Sequence, residues 1–172
     1  TNIGISNSLG DFILLFNDDC ILLPQPVNLW INASLEPFKD EKVGIVTIHE
    51  QYCPYAEDWF GVGYYLLLRK KMLDQIGILD QSFGLGSCED IDICLRAKQN
   101  GWERVCIDKN EGPPGDGFVV GWMPLYHKAE ASFNNLFALG DMGAGVNEKA
   151  FARNRGIIKQ RRLDGYYSSV TP

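Results

Sequence analysis

The sequence has few residues of the kinds that build a disulfide or zinc framework. It contains only two histidines and five cysteines, an odd number, and no two cysteines have C-x-x-C spacing. This pattern is typical of neither class and favours a reducing, cytoplasmic setting. No apolar run approaches the length of a membrane span, and no signal-peptide pattern opens the chain. Contact with the inner face of a membrane is left open.

Basic charge is also scarce. The net charge is −6, with 16 basic against 22 acidic residues, which argues against an extended nucleic-acid surface. An anionic small molecule is not excluded, because one metal ion or one local basic patch can hold a diphosphate. The chain has 172 residues, 45% of them hydrophobic, and therefore fits one globular domain with a real core.

Strand-like and helix-like segments alternate, which predicts an α/β domain. The apolar run Phe12–Phe16 is short and continuous, as in a strand buried on both faces of a parallel sheet. Between the elements we expect a polar, aromatic loop over 50–59 and a flexible loop over 82–87. The tail from residue 134 predicts two helices around a glycine-rich break. The other predicted strands cover 43–48, 64–68, 105–107 and 123–126, and the other predicted helices 27–39, 70–76 and 89–100.

Asn17-Asp18-Asp19 follows the first apolar strand directly. In open α/β sheets, ligands bind at the carboxyl ends of the strands. A carboxylate at that edge can hold Mg²⁺ or Mn²⁺, which share their coordination between protein oxygens and substrate phosphates. The alternative interpretation is an acidic turn after a strand, and this tripeptide alone favours it.

Glu89-Asp90-Ile91-Asp92 begins the helix predicted over 89–100. Ser87 and Asp90 have capping-box-like spacing, and acids in a first turn interact favourably with the helix dipole. The crowded carboxylates should also raise the pKa of at least one of them, which suits a general base. These two interpretations are balanced. Arg96 is predicted to pair with Asp92, four residues earlier.

His127 and the basic residues near the end of the chain can be interpreted either as structural or as functional residues. His127 follows a strand-like stretch, and a lone histidine is more often structural than a ligand. The basic tail is either a solvated helix face, which is slightly favoured, or a mobile lid over a diphosphate or a contact with anionic lipid. It comprises Lys149, Arg153, Arg155, Lys159, Arg161 and Arg162.

Taken in order, these segments resemble the family-2 glycosyltransferases, especially the rhamnosyltransferase-like subgroup. The resemblance covers roughly residues 2–135. The first part of the resemblance comprises Asn2-x-Gly4 and Ser8-x-Gly10-Asp11, which lead into Phe12–Phe16 and Asn17-Asp18-Asp19. The middle part comprises Glu57-Asp58-Trp59-Phe60-Gly61, Leu66-Leu67-Leu68-Arg69 and Ile76-Gly77-x-Leu79-Asp80-x-x-Phe83. The last part comprises Glu89-Asp90-Ile91-Asp92-Ile93-Cys94-Leu95-Arg96 with Gly101, and His127 with Ser132.

The resemblance implies a GT-A-type fold, a Rossmann-like mixed sheet flanked by helices, without its first strand–helix–strand units. Residues 1–172 would then be the C-terminal two-thirds of one domain. Within it, 1–48 would end the donor- and metal-binding part, 49–133 would form the acceptor and catalytic part, and 134–172 a helical tail. The chain has no initiator Met, so we expect a piece of a longer protein, inactive by itself. The strand Phe12–Phe16 would leave an exposed sheet edge, which predicts self-association.

The resemblance also implies the metal and cofactor site. Asp19 would hold the Mn²⁺ or Mg²⁺ that bridges the phosphates of a nucleotide-diphosphate sugar, and Asn17 and Asp18 would belong with it to the cofactor-binding segment. His127 would be a further metal or diphosphate ligand. Asn17 stands where the family more often has Asp, so the resemblance does not support direct metal contact by this residue.

The remaining implied roles concern the acceptor. Asp90 would deprotonate the acceptor hydroxyl and Glu89 would orient the acceptor. Asp58, Trp59 and Asp92 would bind it; Trp59 could stack on a sugar ring or simply pack.

The function implied is inverting, divalent-metal-dependent transfer of a sugar to a saccharide or glycolipid acceptor in cell-surface polysaccharide or glycan assembly. Two alternatives stay open. One is a non-catalytic GT-A-like module that binds sugar nucleotide or a partner. The other is a sugar-nucleotide nucleotidyltransferase, which would require a glycine-rich, lysine-containing loop near its amino terminus.

Overall fold

The computed structural model describes residues 1–84, 87–108, 123–127 and 146–168. Its strands are β1 (Phe12–Phe16), β2 (Cys20–Leu22), β3 (Val43–Thr47), β4 (Glu50–Cys53), β5 (Asp58–Gly61), β6 (Tyr65–Arg69), β7 (Glu103–Cys106) and β8 (Leu125–His127). Its α-helices are α1 (Asn2–Asn7), α2 (Leu29–Leu35), α3 (Lys70–Ile76), α4 (Glu89–Gln99) and α5 (Val146–Leu163). Short 3₁₀ helices cover Glu36–Lys39 and Gln81–Phe83. The α/β prediction is confirmed.

The central sheet is mixed. Its strand order is β1-β6-β3-β7, with β6 antiparallel to both neighbours and β3 parallel to β7. Strand β3 is buried along its whole length and β6 along most of it. Two small ribbons accompany this sheet, β2 with β8 and β4 with β5. The coarse expectation of a mixed sheet flanked by helices therefore holds.

The first strand differs from its prediction. β1 pairs antiparallel with β6 and lies at the end of the described sheet, and Ile13 is its one buried residue. The prediction of a strand buried on both faces of a parallel sheet is wrong. An apolar run reports burial but carries no information on the direction of its partner strand.

Several boundaries were predictable from local signals, and others were not. The helix predicted over 70–76 is α3, which Gly77 ends with a φ of 84°. The helix predicted over 27–39 is divided into α2 and the 3₁₀ helix that contains Pro37, since proline disturbs a continuing α-helix. The loop predicted over 50–59 is the β4–β5 hairpin. Of the two tail helices, α5 is observed, while the glycine-rich break lies outside the described residues.

The main core lies between the sheet and helices α3, α4 and α5. Ile45 and Leu68 of the sheet are fully buried there, as are Met72, Ile93 and Ile158 of the three helices. Burying each such side chain contributes about 1.5–3 kcal/mol. This packing fixes the start of α4 against the end of β5. Among the described residues, no helix is both long and apolar enough to cross a membrane.

Candidate functional site

The β2–β8 ribbon brings three chemically active side chains together. Its register places Cys20 directly opposite His127, and opposed residues on an antiparallel pair have neighbouring side chains. Asp19 precedes β2 and joins them. One ligand atom of each residue, a carboxylate oxygen, a thiol sulfur and an imidazole nitrogen, lies within 4.8 Å of the other two.

The side chains of Asp19 and His127 lie close together, but their hydrogen-bonding capacity is not fully used. His127 Nε2 lies 3.2 Å from Asp19 Oδ1, and the two side chains are only 13% and 10% exposed. Neither atom has a well-aligned hydrogen-bond partner among the described residues. Leaving such atoms buried and unpaired costs about 1–3 kcal/mol each. A cation between them would satisfy both.

The ionisation of His127 suits a cation, whereas Cys20 is a neutral thiol when no cation is bound. Burial lowers the pKa of His127, although the neighbouring Asp19 carboxylate opposes this shift. The imidazole is therefore neutral near neutral pH, the form that ligates metals. Burial, and then the charge of Asp19, raises the pKa of the Cys20 thiol to about 12.

Aromatic stacking fixes the His127 ring. The ring of Tyr64 stacks on it at a centroid distance of 4.0 Å, and His49 lies on Tyr64 at 5.9 Å. The Tyr64 hydroxyl is buried and has no hydrogen-bond partner among the described side chains and backbone. The imidazole is thus held in one orientation toward Asp19.

The start of α4 holds the second set of acids. Asp90 Oδ2 accepts a hydrogen bond from the Gly63 N–H at 3.0 Å, and Asp90 Oδ1 accepts one from the Ile91 N–H at 2.9 Å. Burial, and then the charge of Glu89, raises the pKa of Asp90 to about 7 despite these bonds. Burial also raises the pKa of Glu89. The predicted pKa shift at this helix start is confirmed.

The predicted capping box is wrong. The N-cap of α4 is Cys88, which has a φ of 72° and no side-chain cap. Ser87 has a φ of 70°, also left-handed. The chain thus enters α4 through two consecutive left-handed residues, which turn the Asp90 carboxylate toward Gly63 instead of toward the backbone of Ser87.

One cleft of about 550 Å³ unites the two sets of acids. Asp19, His127, Glu89 and Asp90 all line it. Its volume lies within the range of about 300–1,000 Å³ that is usual for small-molecule sites. Its other walls come from Asn17, the 51–55 segment of the β4–β5 hairpin, the 60–64 segment, the start of α4, and Phe151 and Arg155 of α5.

Not every predicted site residue faces this cleft. Asp18 is exposed and does not line it. Asp58 lies on β5, where its carboxylate binds Lys98 at 2.6 Å. Trp59 is 53% exposed and packs edge-on against Tyr52, which does line the cleft.

Asp92 is turned away from the cleft completely. It is fully buried, and its carboxylate accepts hydrogen bonds from Arg96, Arg161 and Tyr167, each at 2.7 Å. The predicted Arg96–Asp92 pair is therefore confirmed. A direct acceptor contact by Asp92 has no support in this geometry.

The basic tail divides into different roles. Arg153, Arg155 and Lys159 of α5 are exposed, as a solvated face requires, and Arg155 also reaches the cleft. The solvated-face expectation is wrong for Arg161 and Arg162. Arg161 binds Asp80 and Asp92, and Arg162 lies 2.9 Å from Glu57.

Sequence reasoning missed Cys20, Gly63 and Tyr64 as members of the site. Cys20 adjoins Asp19 in the sequence, but only strand register places it against His127. Gly63 belongs to the Gly61-Val62-Gly63 segment and signals a close approach of chain segments. An added Cβ at Gly63 would lie 3.2 Å from Asp90 Oδ2.

Comparison with known proteins does not identify a function for the chain, so a functional proposal has to be argued from the geometry of this site and from the sequence motifs. No family model, no curated protein and no solved structure matches the chain. The resemblance to family-2 glycosyltransferases therefore rests on the sequence motifs alone.

Proposed function

We propose that the chain carries the metal-binding and acceptor-activating part of an inverting GT-A-type glycosyltransferase that uses a nucleotide-diphosphate sugar. The observation that carries this proposal is the convergence of Asp19, His127 and Asp90 on one cleft. These residues are far apart in the sequence and belong to different elements. The cleft combines a potential cation site with a carboxylate that titrates near neutrality.

The metal end of the cleft fits a divalent cation. Asp19 Oδ1 and His127 Nε2 are buried, 3.2 Å apart and without aligned partners among the described residues, so they would hold Mn²⁺ or Mg²⁺. A cation bound there would stabilise the negative charge that develops on the departing nucleoside diphosphate. Arg155 on the cleft wall adds positive charge for the same phosphates.

The acid end of the cleft fits a general base. With a pKa of about 7, Asp90 is partly ionised at neutral pH yet basic enough to take a proton from an acceptor hydroxyl. Glu89 lines the same cleft and would orient the acceptor. Attack by the hydroxyl on the face opposite the leaving diphosphate inverts the anomeric carbon.

The β4–β5 hairpin offers a surface for the acceptor. Tyr52 lines the cleft, and Trp59 extends the aromatic surface outward at a ring-centroid distance of 5.8 Å. Aromatic faces pack well on the apolar face of a sugar ring. A saccharide or glycolipid acceptor fits this surface, and a glycolipid would place the protein at the inner face of a membrane during cell-surface glycan assembly.

The test is sugar transfer by the protein that carries this chain, with Mn²⁺, a panel of nucleotide-diphosphate sugars and saccharide acceptors. We expect Asp19→Ala and Asp90→Asn each to reduce transfer by about 100-fold or more, as for loss of a metal ligand or general base. The matched control is Asp74→Asn, which changes an exposed acid on α3. Most of the activity surviving in either site variant would contradict the assignment.

Two further readouts separate the alternatives. Binding of sugar nucleotide without any turnover in the complete protein would favour a non-catalytic module. Release of pyrophosphate from a nucleoside triphosphate and a sugar phosphate would favour a nucleotidyltransferase. Both measurements use the same purified protein as the transfer assay.

A further inference from the structure

We propose that Cys20 is a third protein ligand beside Asp19 and His127, so that the site takes a thiophilic divalent cation, such as Zn²⁺ or Co²⁺, in preference to Mg²⁺. This inference rests on the metal site of the proposed function. It extends that function by naming a further ligand and the chemical class of the ion.

The backbone pairing supports Cys20 as a ligand. Cys20 and His127 are direct partners in the antiparallel β2–β8 ribbon, so their side chains share a face. Asp19 directly precedes β2, and one ligand atom of each of the three residues lies within 4.8 Å of the ligand atoms of the other two. Small side-chain rotations bring such atoms to metal–ligand distances of about 2.0–2.3 Å.

The unsatisfied atoms point to a ligand independently of the cysteine. Asp19 is nine-tenths buried, and its Oδ1 has no aligned hydrogen-bond partner among the described residues. His127 Nε2, which faces Asp19 Oδ1, is also buried and has no aligned hydrogen-bond partner among the described residues. The Cys20 thiol makes a long contact, 3.8 Å, with the carbonyl oxygen of Tyr64. Because sulfhydryl hydrogen bonds are weak, coordination gives up little hydrogen bonding. A bound cation would offset the cost of ionising this buried thiol, because the charge of the cation stabilises the thiolate.

The mixture of donor atoms decides the class of ion. Mg²⁺ requires oxygen ligands in near-octahedral geometry, whereas thiolate and imidazole favour Zn²⁺ and similar ions. Coordination by Cys20 replaces its S–H bond with an S–metal bond and releases one proton to solvent. Three protein ligands leave one position of a tetrahedral site for water or a phosphate oxygen, as in catalytic zinc sites.

Cobalt spectroscopy tests the proposal without any activity assay. Metal-free protein is titrated with Co²⁺ while the near-ultraviolet thiolate-to-cobalt charge-transfer band and the visible bands of tetrahedral Co²⁺ are recorded. We expect one ion per chain and a charge-transfer band that Zn²⁺ abolishes but excess Mg²⁺ does not. Cys20→Ser should lose the band and bind Co²⁺ about 100-fold more weakly, since even outer-shell partners contribute about 10–100-fold.

The matched control is Cys106→Ser, because Cys106 is also partly buried but lies outside the cluster. It should keep the full cobalt spectrum. If Cys20→Ser fails to fold, alkylation of the unchanged protein replaces it: Zn²⁺ should protect Cys20, and not Cys106, from iodoacetamide in a mass-spectrometric assay.

The outcomes separate this inference from the proposed function. Equal Co²⁺ affinity and identical spectra in Cys20→Ser and the unchanged protein would overturn the role of Cys20 and leave an Asp19–His127 site in place. Failure of Zn²⁺ to protect Cys20 would overturn that role in the same way. Absence of Co²⁺ binding overturns the inference and the metal site together, whereas failure of sugar transfer with a normal cobalt spectrum counts against the proposed function alone.

Discussion

Arg161 Nη1 on α5 lies 2.7 Å from Asp92 Oδ1 on α4, and this pair ties the C-terminal helix to the helix that carries Asp90. Asp92 is fully buried and also binds Arg96 and Tyr167. A buried carboxylate needs such compensation, because removing its partners leaves an unpaired charge. The network thus holds α5 beside the candidate site.

Loss of Arg161 should destabilise the fold. Arg161→Ala leaves Asp92 with fewer partners and also removes the contact with Asp80, for an expected loss of about 1–3 kcal/mol in the free energy of unfolding. Urea denaturation followed by circular dichroism measures it. Lys159→Ala, an exposed change on the same helix, should stay within about 0.5 kcal/mol of the unchanged protein. Equal effects of the two variants would refute the network's contribution.

Asp90 should make stability depend on pH. Its pKa is about 7 in the folded chain against 3.8 for the ordinary group, so the folded state binds more protons between these values. Stability from this group is therefore highest below about pH 4 and falls as pH rises toward 7, by up to about 1.4 kcal/mol per pH unit.

The substitution Asp90→Asn removes this titrating group. Melting temperatures measured from pH 4 to 8 should decline less steeply in the variant than in the unchanged protein. Asp74→Asn, on the exposed face of α3, should keep the original slope. Parallel curves for Asp90→Asn and the unchanged protein would show that the carboxylate is not perturbed.

Gly63 should position the Asp90 carboxylate. An added Cβ would lie 3.2 Å from Asp90 Oδ2, so Gly63→Ala must displace the carboxylate by a few tenths of an ångström and loosen the 3.0 Å bond from the Gly63 N–H. Since that bond lowers the pKa of Asp90, the pH profile of transfer should move to higher pH. The rate should fall by about 10-fold, because small misplacements are costly in catalysis.

The control for this prediction is Gly156→Ala on α5, where an added Cβ meets nothing within 4 Å. It should leave both the rate and the pH profile unchanged. A Gly63→Ala variant that folds normally and keeps the original pH profile would remove Gly63 from the site.

The outer edge of β1, which has no partner strand in the described part of the chain, should promote self-association. Among the described residues β1 pairs only with β6, and Phe16 at its end is 38% exposed. An unpaired edge is a template for another strand, and a charged side chain there discourages pairing. We expect dimers at micromolar concentration in sedimentation velocity, weakened by Phe16→Lys and not by Val27→Lys, which changes a residue that is 90% exposed. A strictly monomeric protein would contradict this prediction.

The sequence by itself determined the elements whose signals are local. The span of α3, ended by Gly77, the buried strand β3 and the acidic start of α4 follow from apolar patterning and a glycine stop. The direction of the Asp90 pKa shift was predicted from the crowded acids, but burial contributes more to it than the charge of Glu89 does, and burial depends on how the helix packs.

Only the tertiary structure decided which distant residues meet. The register of β2 on β8 places Cys20 against His127, and the docking of α5 turns Asp92 into a buried ion-pair partner instead of a cleft residue. Periodicity records which side of an element is apolar, but not which element covers it or in what register. Those choices depend on the packing of the whole chain, so the cleft is a property of the fold.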